Sequence, residues 1–191
     1  MNIIKSNIAN LPTKYGNFKI KAYKDEDQEH LAIVSQDFEN LDSPYVRIHS
    51  ECLTGDAIGS LKCDCQNQLD LSLKFIAKHG GLVIYHRQEG RNIGLLNKVN
   101  AYALQDQGRN TIQANLELGF GEDDRDYKIV GHIFKDLGIK KVKLITNNPK
   151  KISYAESLGI DILQRIPAIT KSNKYNEAYL STKKEQMGQI L

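Results

Sequence analysis

Apolar and polar side chains alternate through residues 45–51 (Tyr-Val-Arg-Ile-His-Ser-Glu), the period of a half-buried strand, which sets Arg47, His49 and Glu51 on one face. Residues 18–23 and 30–34 carry the same β-type signal. Over residues 68–79 the period lengthens: Leu69, Leu73 and Ile76 recur at helical spacing, and Gly80-Gly81 supplies a stop. Residues 81–86 read as a buried strand, and the polar, glycine-containing loop 87–92 leads into a helix over 95–107 that Gly108 closes. Val130, Phe134 and Leu137 predict a helix over 127–137, followed by an alternating strand at 141–146. Pro149 suits the first position of a helix reaching Gly159, a last strand is expected at 160–166, and a weak helical pattern starts at Tyr175. Strands alternating with helices predict a single α/β domain over residues 1–191. Its sheet should be mixed and flanked by helices, because the early strands follow one another directly, and its binding loops should lie beyond the strand ends.

The chain of 191 residues is 40% hydrophobic and 26% charged, enough to bury a core, with no internal repeat or low-complexity tract. Lys and Arg number 26 against 23 Asp and Glu, a formal charge of +3, which excludes a dedicated nucleic-acid binder and requires any anionic partner to be met locally. The longest apolar run, residues 80–85, is far short of the ~20 residues of a membrane span. No apolar leader opens the sequence, so a cytoplasmic, reducing setting is expected.

Cys52, Cys63 and Cys65 are too few and odd in number for a disulfide framework, and their crowding points to a metal. In an extended chain Cys63 and Cys65 would point the same way, and Gly55 and Gly59 give the intervening loop freedom to fold Cys52 back towards them. Zinc is the ion that best suits thiolates in tetrahedral geometry. Two forms stay open. With water in the fourth position the site is catalytic; with a histidine there, His49 being nearest in sequence, it is closed and structural. Three small buried side chains without metal are the plainer alternative. Three thiolates also leave a divalent ion with net negative charge, so a water on it is a weaker acid than one on an imidazole site, and a nearby proton shuttle is expected.

Neither a Walker loop nor a dinucleotide fingerprint is present. Arg87, Arg91 and Lys98 instead gather around the glycine loop, and Lys150 and Lys151 follow Thr146-Asn147-Asn148-Pro149, where a strand end opens a helix and favours an anion. The acidic segment 121–126 reads as a helix start whose carboxylates complement the dipole, with a Mg²⁺ and phosphate site as the sharper alternative.

Four stretches resemble the motifs of GTP cyclohydrolase II, and the resemblance covers almost the whole chain. They are Arg47-Ile48-His49-Ser50-Glu51-Cys52-Leu53-Thr54-Gly55-Asp56, Cys63-Asp64-Cys65, the stretch from His86 through Arg87-Gln88-Glu89-Gly90-Arg91 to Leu95, and Thr146-Asn147-Asn148-Pro149-Lys150-Lys151. The resemblance implies a homodimer that uses Zn²⁺, one per subunit, and Mg²⁺ to convert GTP into a diaminopyrimidinone ribosylamine phosphate, formate and pyrophosphate, the first committed step of riboflavin biosynthesis. It assigns Cys52, Cys63 and Cys65 to zinc, and Arg47, Ile48, His49, Ser50, Glu51, Gln68, Glu89, Gly90, Arg91, Thr111, Thr146 and Lys151 to the nucleotide. It also implies Tyr102 beside the zinc, Asp123 as proton acceptor and Arg125 as nucleophile, which displaces the helix-start reading of their segment. A guanidinium essentially never loses its proton, so Arg125 is expected to stabilise charge instead. By helical period Tyr102 shares a face with Leu95 and Val99, which makes a plain core tyrosine its alternative. The chain departs from the family's usual pattern at Gly59, Lys62 and Gln66, none of which removes a ligand. A non-catalytic, zinc-stabilised nucleotide-binding module and a related cyclohydrolase that acts on another nucleotide or stops at a formylated product are the competing readings.

Overall fold

The computed structural model describes residues 2–177, 179–181 and 188–190. Eight strands form one mixed sheet: β1 (Ile4–Lys5), β2 (Ala9–Thr13), β3 (Gly16–Asp25), β4 (Gln28–Ser35), β5 (Tyr45–Ser50), β6 (Gly81–His86), β7 (Lys141–Ile145) and β8 (Asp161–Ile166). Their order is β1-β3-β4-β6-β5-β7-β8, with β2 also on β3. The first four strands and the β4–β6 pair are antiparallel, while β6, β5, β7 and β8 run parallel. Antiparallel neighbours need only turns, whereas parallel neighbours need crossovers, and the helices fall accordingly. Helices α1 (Leu53–Asp56) and α2 (Cys65–His79) join β5 to β6. The short turn α3 (Glu89–Asn92) and helices α4 (Gly94–Asp106), α5 (Thr111–Glu117) and α6 (Lys128–Asp136) lead to β7, and α7 (Pro149–Ser157) leads to β8.

One sheet face packs Val46, Ile48, Leu82, Ile84 and Leu144 against Ile129, Val130, Ile133 and Phe134 of α6 and Ala155 of α7. The other packs Val83 and Ile145 against Leu73 and Ile76 of α2. Each buried Val, Leu, Ile or Phe stabilises the fold by about 1.5–3 kcal/mol, so the apolar stripe holds α6 in place more than its intrinsic propensity does. No helix among the described residues is long and apolar enough to cross a membrane.

Several expectations need correction. β5 is not half-buried: residues 46–49 are all buried, because parallel strands flank it and both its faces are covered. The helix expected from residue 68 begins at Cys65, and the face of α4 expected to be core is open, with Leu95 40% and Val99 52% exposed. Strands β1 and β2 and helix α5 were not foreseen, although Asn110 and Gln113 form a reciprocal capping box at the start of α5. In the expected C-terminal helix, residues 177 and 179–181 are helical and 188–190 are not, while 178 and 182–187 lie outside the described residues.

His86, the last residue of β6, is fully buried and stacks on His30 and Tyr127 at ring-centroid distances of 5.1 and 5.3 Å. Neither of its ring nitrogens makes a well-formed hydrogen bond among the described residues, the Asp126 backbone offering only a weak one. Burial, reinforced by His30, Lys151 and Arg125, pushes its pKa down to about 3 from the usual 6.5. The unfolded chain therefore takes up a proton that the folded one refuses. The stabilisation is complete above pH 6.5 and is lost as the pH falls towards 3, at about 1.4 kcal/mol per pH unit. Thermal melts across this window should show the loss, and His86→Leu should make it shallower, the remainder coming from His30 and His49, which burial also holds below the usual value; an unchanged acid slope in that variant would contradict the assignment.

Candidate active site

The carboxyl ends of β5, β6 and β7 open into a cleft of about 1130 Å³, continuous with solvent. Every site residue expected from the sequence lines it except Ile48 and Asp123. The Ile48 side chain lies in the core, and only its carbonyl reaches the site, accepting a hydrogen bond from Lys151 Nζ at 2.7 Å. Asp123 stands behind Arg125.

The cysteine half is built around α1. Asp56, its last residue, folds back so that its buried carboxylate accepts from the backbone N–H of Cys52 at 3.0 Å, from Tyr85 Oη at 2.8 Å and from His49 Nε2 at 3.1 Å. His49 is thereby turned to Asp56 and lies outside the cysteine cluster, which disposes of the closed form with His49 as fourth ligand. Burial outweighs Asp56 and lowers the His49 pKa, leaving a neutral ring. Cys63 and Cys65 do not share an extended segment; the chain turns through residues 61–64 and Cys65 opens α2. All three sulfurs lie within 4.8 Å of one another, and those of Cys52 and Cys63 are 3.6 Å apart. Two thiolates about 2.3 Å from one tetrahedral zinc stand about 3.8 Å apart. Hydrogen bonds from the other two thiols, with Lys98 nearby, hold the Cys52 thiol far below its usual range, so the donor set already favours a cation. Among the described residues this is the one group of three or more side chains spaced to hold a metal. A Cβ on Gly55 would lie 2.9 Å from Cys63 Sγ and 3.1 Å from Cys52 Sγ, so the sulfurs converge over a position with no side chain. The residues therefore fit a thiolate-bound divalent ion.

The opposite half is cationic. Arg125 donates to both oxygens of Asp123, from Nε at 2.7 Å and Nη2 at 2.6 Å, and from Nη1 to Ser50 Oγ at 3.0 Å. Burial alone would raise the Asp123 pKa and lower that of Arg125, but their paired hydrogen bonds prevail and drive both the opposite way. Arg125 thus stays charged, and Asp123 is a weak base. Asn148 caps α7 by accepting from the Lys150 N–H at 2.9 Å, with Pro149 in the first turn, while Thr146, Asn147, Asn148 and Lys151 line the cleft. Arg47 Nη2 donates to Gln68 Oε1 at 2.5 Å, but Arg47 Nε and His49 Nδ1 are buried without partners among the described residues. Gly90, Arg91 and Asn92 are successive left-handed residues with φ of 60°, 64° and 75°. Such strain costs about 1–3 kcal/mol at each non-glycine residue and concentrates at functional sites.

The basic cluster read from the sequence divides. Arg91 lines the cleft and donates to the Glu122 carbonyl at 3.0 Å, whereas Arg87 pairs with Glu51 outside it and Lys98 is engaged by Cys52 and Glu89. Lys150 is largely exposed, 3.9 Å from Asp123. Tyr102 is not a core tyrosine: its hydroxyl lies 3.2 Å from Thr54 Oγ1 beside the cysteine loop, and burial pushes its pKa up to about 12. In the acidic segment only Asp126 serves the start of α6, accepting from the Lys128 N–H at 2.8 Å. Asn115 of α5, almost fully buried in the lining, was missed; the Asn110-x-x-Gln113 cap was the available signal.

Gly55→Ala should push the sulfurs apart and weaken zinc binding by about 10-fold or more, measured by competition with a chromophoric chelator, while the far-ultraviolet spectrum stays native. Wild-type affinity in that variant would contradict the packing account.

A family model described as GTP cyclohydrolase II matches residues 5–167. The chain is 60% identical to a GTP cyclohydrolase-2 of Campylobacter fetus, over 100% of this chain and 97% of that protein. It is 51% identical to a GTP cyclohydrolase-2 of Haemophilus influenzae, over 96% of this chain and 87% of that one. Among solved structures, a two-domain 3,4-dihydroxy-2-butanone 4-phosphate synthase from A. baumannii aligns with 88% of this chain and 40% of its own, at a TM-score of 0.44 and 18% identity. On the family match and the full-length likeness to its members, this chain belongs to the GTP cyclohydrolase II family.

Proposed function

We propose that the chain hydrolyses GTP to a diaminopyrimidinone ribosylamine phosphate, formate and pyrophosphate, with one Zn²⁺ per subunit on Cys52, Cys63 and Cys65 and Mg²⁺ accompanying the triphosphate. The observation that carries this reading is a cleft with three converging sulfurs on one wall and buried cations beside a capped helix start on the other. When bound, zinc supplies Lewis acidity for hydrolysis at the five-membered ring of the purine, and magnesium neutralises charge on the departing pyrophosphate.

The chain's own residues divide the remaining work. Thr146 and Lys151 receive phosphate, and the positive dipole end of α7 beside them favours the anion. Arg125 stabilises charge during phosphoryl departure, and Asp123 holds it in orientation. Arg47 Nε and His49 Nδ1, a donor and an acceptor without partners, suit the polar edge of the base, with Gln68 and Asp56 orienting them. Ser50, Glu51, Glu89, Gly90, Arg91 and Thr111 complete the nucleotide's surroundings. Release of formate also requires cleavage of a formamide whose amine leaves with a proton, and the Tyr102 hydroxyl, protonated at neutral pH, is the group suited to donate it. A cytoplasmic setting and the homodimer that the resemblance to the family implies belong to the same proposal.

The two walls should fail separately. Cys63→Ser is expected to remain folded, lose zinc and abolish formate release. Arg125→Ala should lose about 10³-fold in pyrophosphate release, with Arg125→Lys retaining part of it. Full formate release by Cys63→Ser would overturn the assignment of the cysteines. A covalent phosphoamide on Arg125, detected by intact-mass analysis, would overturn its role as a charge stabiliser.

A further inference from the structure

The sequence groups Lys98 with the anion-binding cations, yet the residue is only 8% exposed, and its described contacts lie on the cysteine side. Nζ lies 3.0 Å from Cys52 Sγ and 2.7 Å from Glu89 Oε1. The Glu89 carboxylate in turn accepts from the Leu53 N–H at 2.6 Å and the Gly90 N–H at 2.8 Å, so one acid fixes the lysine and the backbone directly after Cys52. The left-handed turn makes room for this arrangement, since a Cβ on Gly90 would stand 3.2 Å from Lys98 Cβ. A buried ammonium is costly unless paired, and here one carboxylate holds it against a metal-ligating type of side chain. Both the chain order and the spacing therefore aim a hydrogen-bond donor at a sulfur.

We propose that Lys98 is a positioning residue for the cysteine centre, donating a hydrogen bond to the Cys52 sulfur and drawing charge from it, with Glu89 holding it there. The proposal rests on the metal reading above and deepens it. Three thiolates donate strongly enough to blunt a divalent ion's acidity, and an N–H···S bond on one of them reduces that donation. The electron-rich character that the three cysteines impose is thus offset by a neighbouring cation as well as by any proton shuttle.

Loading the metal-free protein with Co²⁺ gives an optical readout, because sulfur-to-cobalt charge-transfer bands report directly on donation by the thiolates. In Lys98→Met the band should move to lower energy, kcat for formate release should fall about 10- to 100-fold, and KM for GTP should change less than about threefold. Lys98→Arg, which keeps the charge, should restore the band towards its wild-type position. Glu89→Gln, which keeps the lysine and loosens its anchor, should give an intermediate shift even if Lys98→Met does not fold. An unmoved band in the folded variants, or a raised KM with kcat intact, would overturn the proposal, the latter marking Lys98 as a phosphate anchor. Absence of any sulfur-to-cobalt band in the wild-type protein would instead overturn the underlying metal reading.

Discussion

The sulfurs of Cys52 and Cys63 and the Cβ of Cys65 meet over the bare backbone of Gly55, and most of the site follows from that contact. Any side chain at residue 55 would occupy the space the sulfurs share. The helical turn that carries this glycine ends in Asp56, whose carboxylate ties the Cys52 backbone, His49 on β5 and Tyr85 on β6 into one buried network. A buried carboxylate is tolerable only when its oxygens are fully satisfied, so the network is rigid by necessity. It couples the cysteine wall to the strand that presents Arg47 and Ser50, and the two halves of the cleft share one geometry.

Electrostatics then separate the halves. On the cysteine side, soft donors and an acidic network favour a cation. On the strand β7 side, Arg125, Lys151 and the start of α7 favour an anion, and Asp123 keeps Arg125 charged without offering a strong base. Such a partition suits a reaction of the GTP cyclohydrolase II family, in which a purine ring and a triphosphate chain react at different ends of one substrate. The left-handed turn at residues 90–92 joins the halves, since Glu89 reaches the cysteine side while Arg91 lines the cleft.

Much of this was legible in the sequence because burial imposes a period. Helices α2, α6 and α7 each bury one stripe, and β6 is an unbroken apolar run, so their existence and type follow from pattern. β1 and β2 lie at the sheet margin with mostly exposed residues and carry no such pattern, and α5 is announced only by its cap. The crowding of the cysteines was visible, but the means of their convergence was not: a turn and a helix start replace the expected extended chain. The direction of Lys98 was hidden for a related reason. Its partners Cys52 and Glu89 are brought together by tertiary packing, and charge alone suggested phosphate. Likewise, alternation in β5 could not distinguish polar residues facing solvent from polar residues facing a buried site.

In the proposed reaction, one cleft carries out both ring opening and phosphoryl departure. This pairing is tested most directly by mass-spectrometric and chromatographic analysis of all products after incubating the zinc-loaded protein with GTP and Mg²⁺. Formate and pyrophosphate are expected in equal amounts, together with a deformylated diaminopyrimidinone ribosylamine phosphate. Accumulation of a formylated product as the end point, or recovery of unchanged GTP, would contradict the proposed reaction.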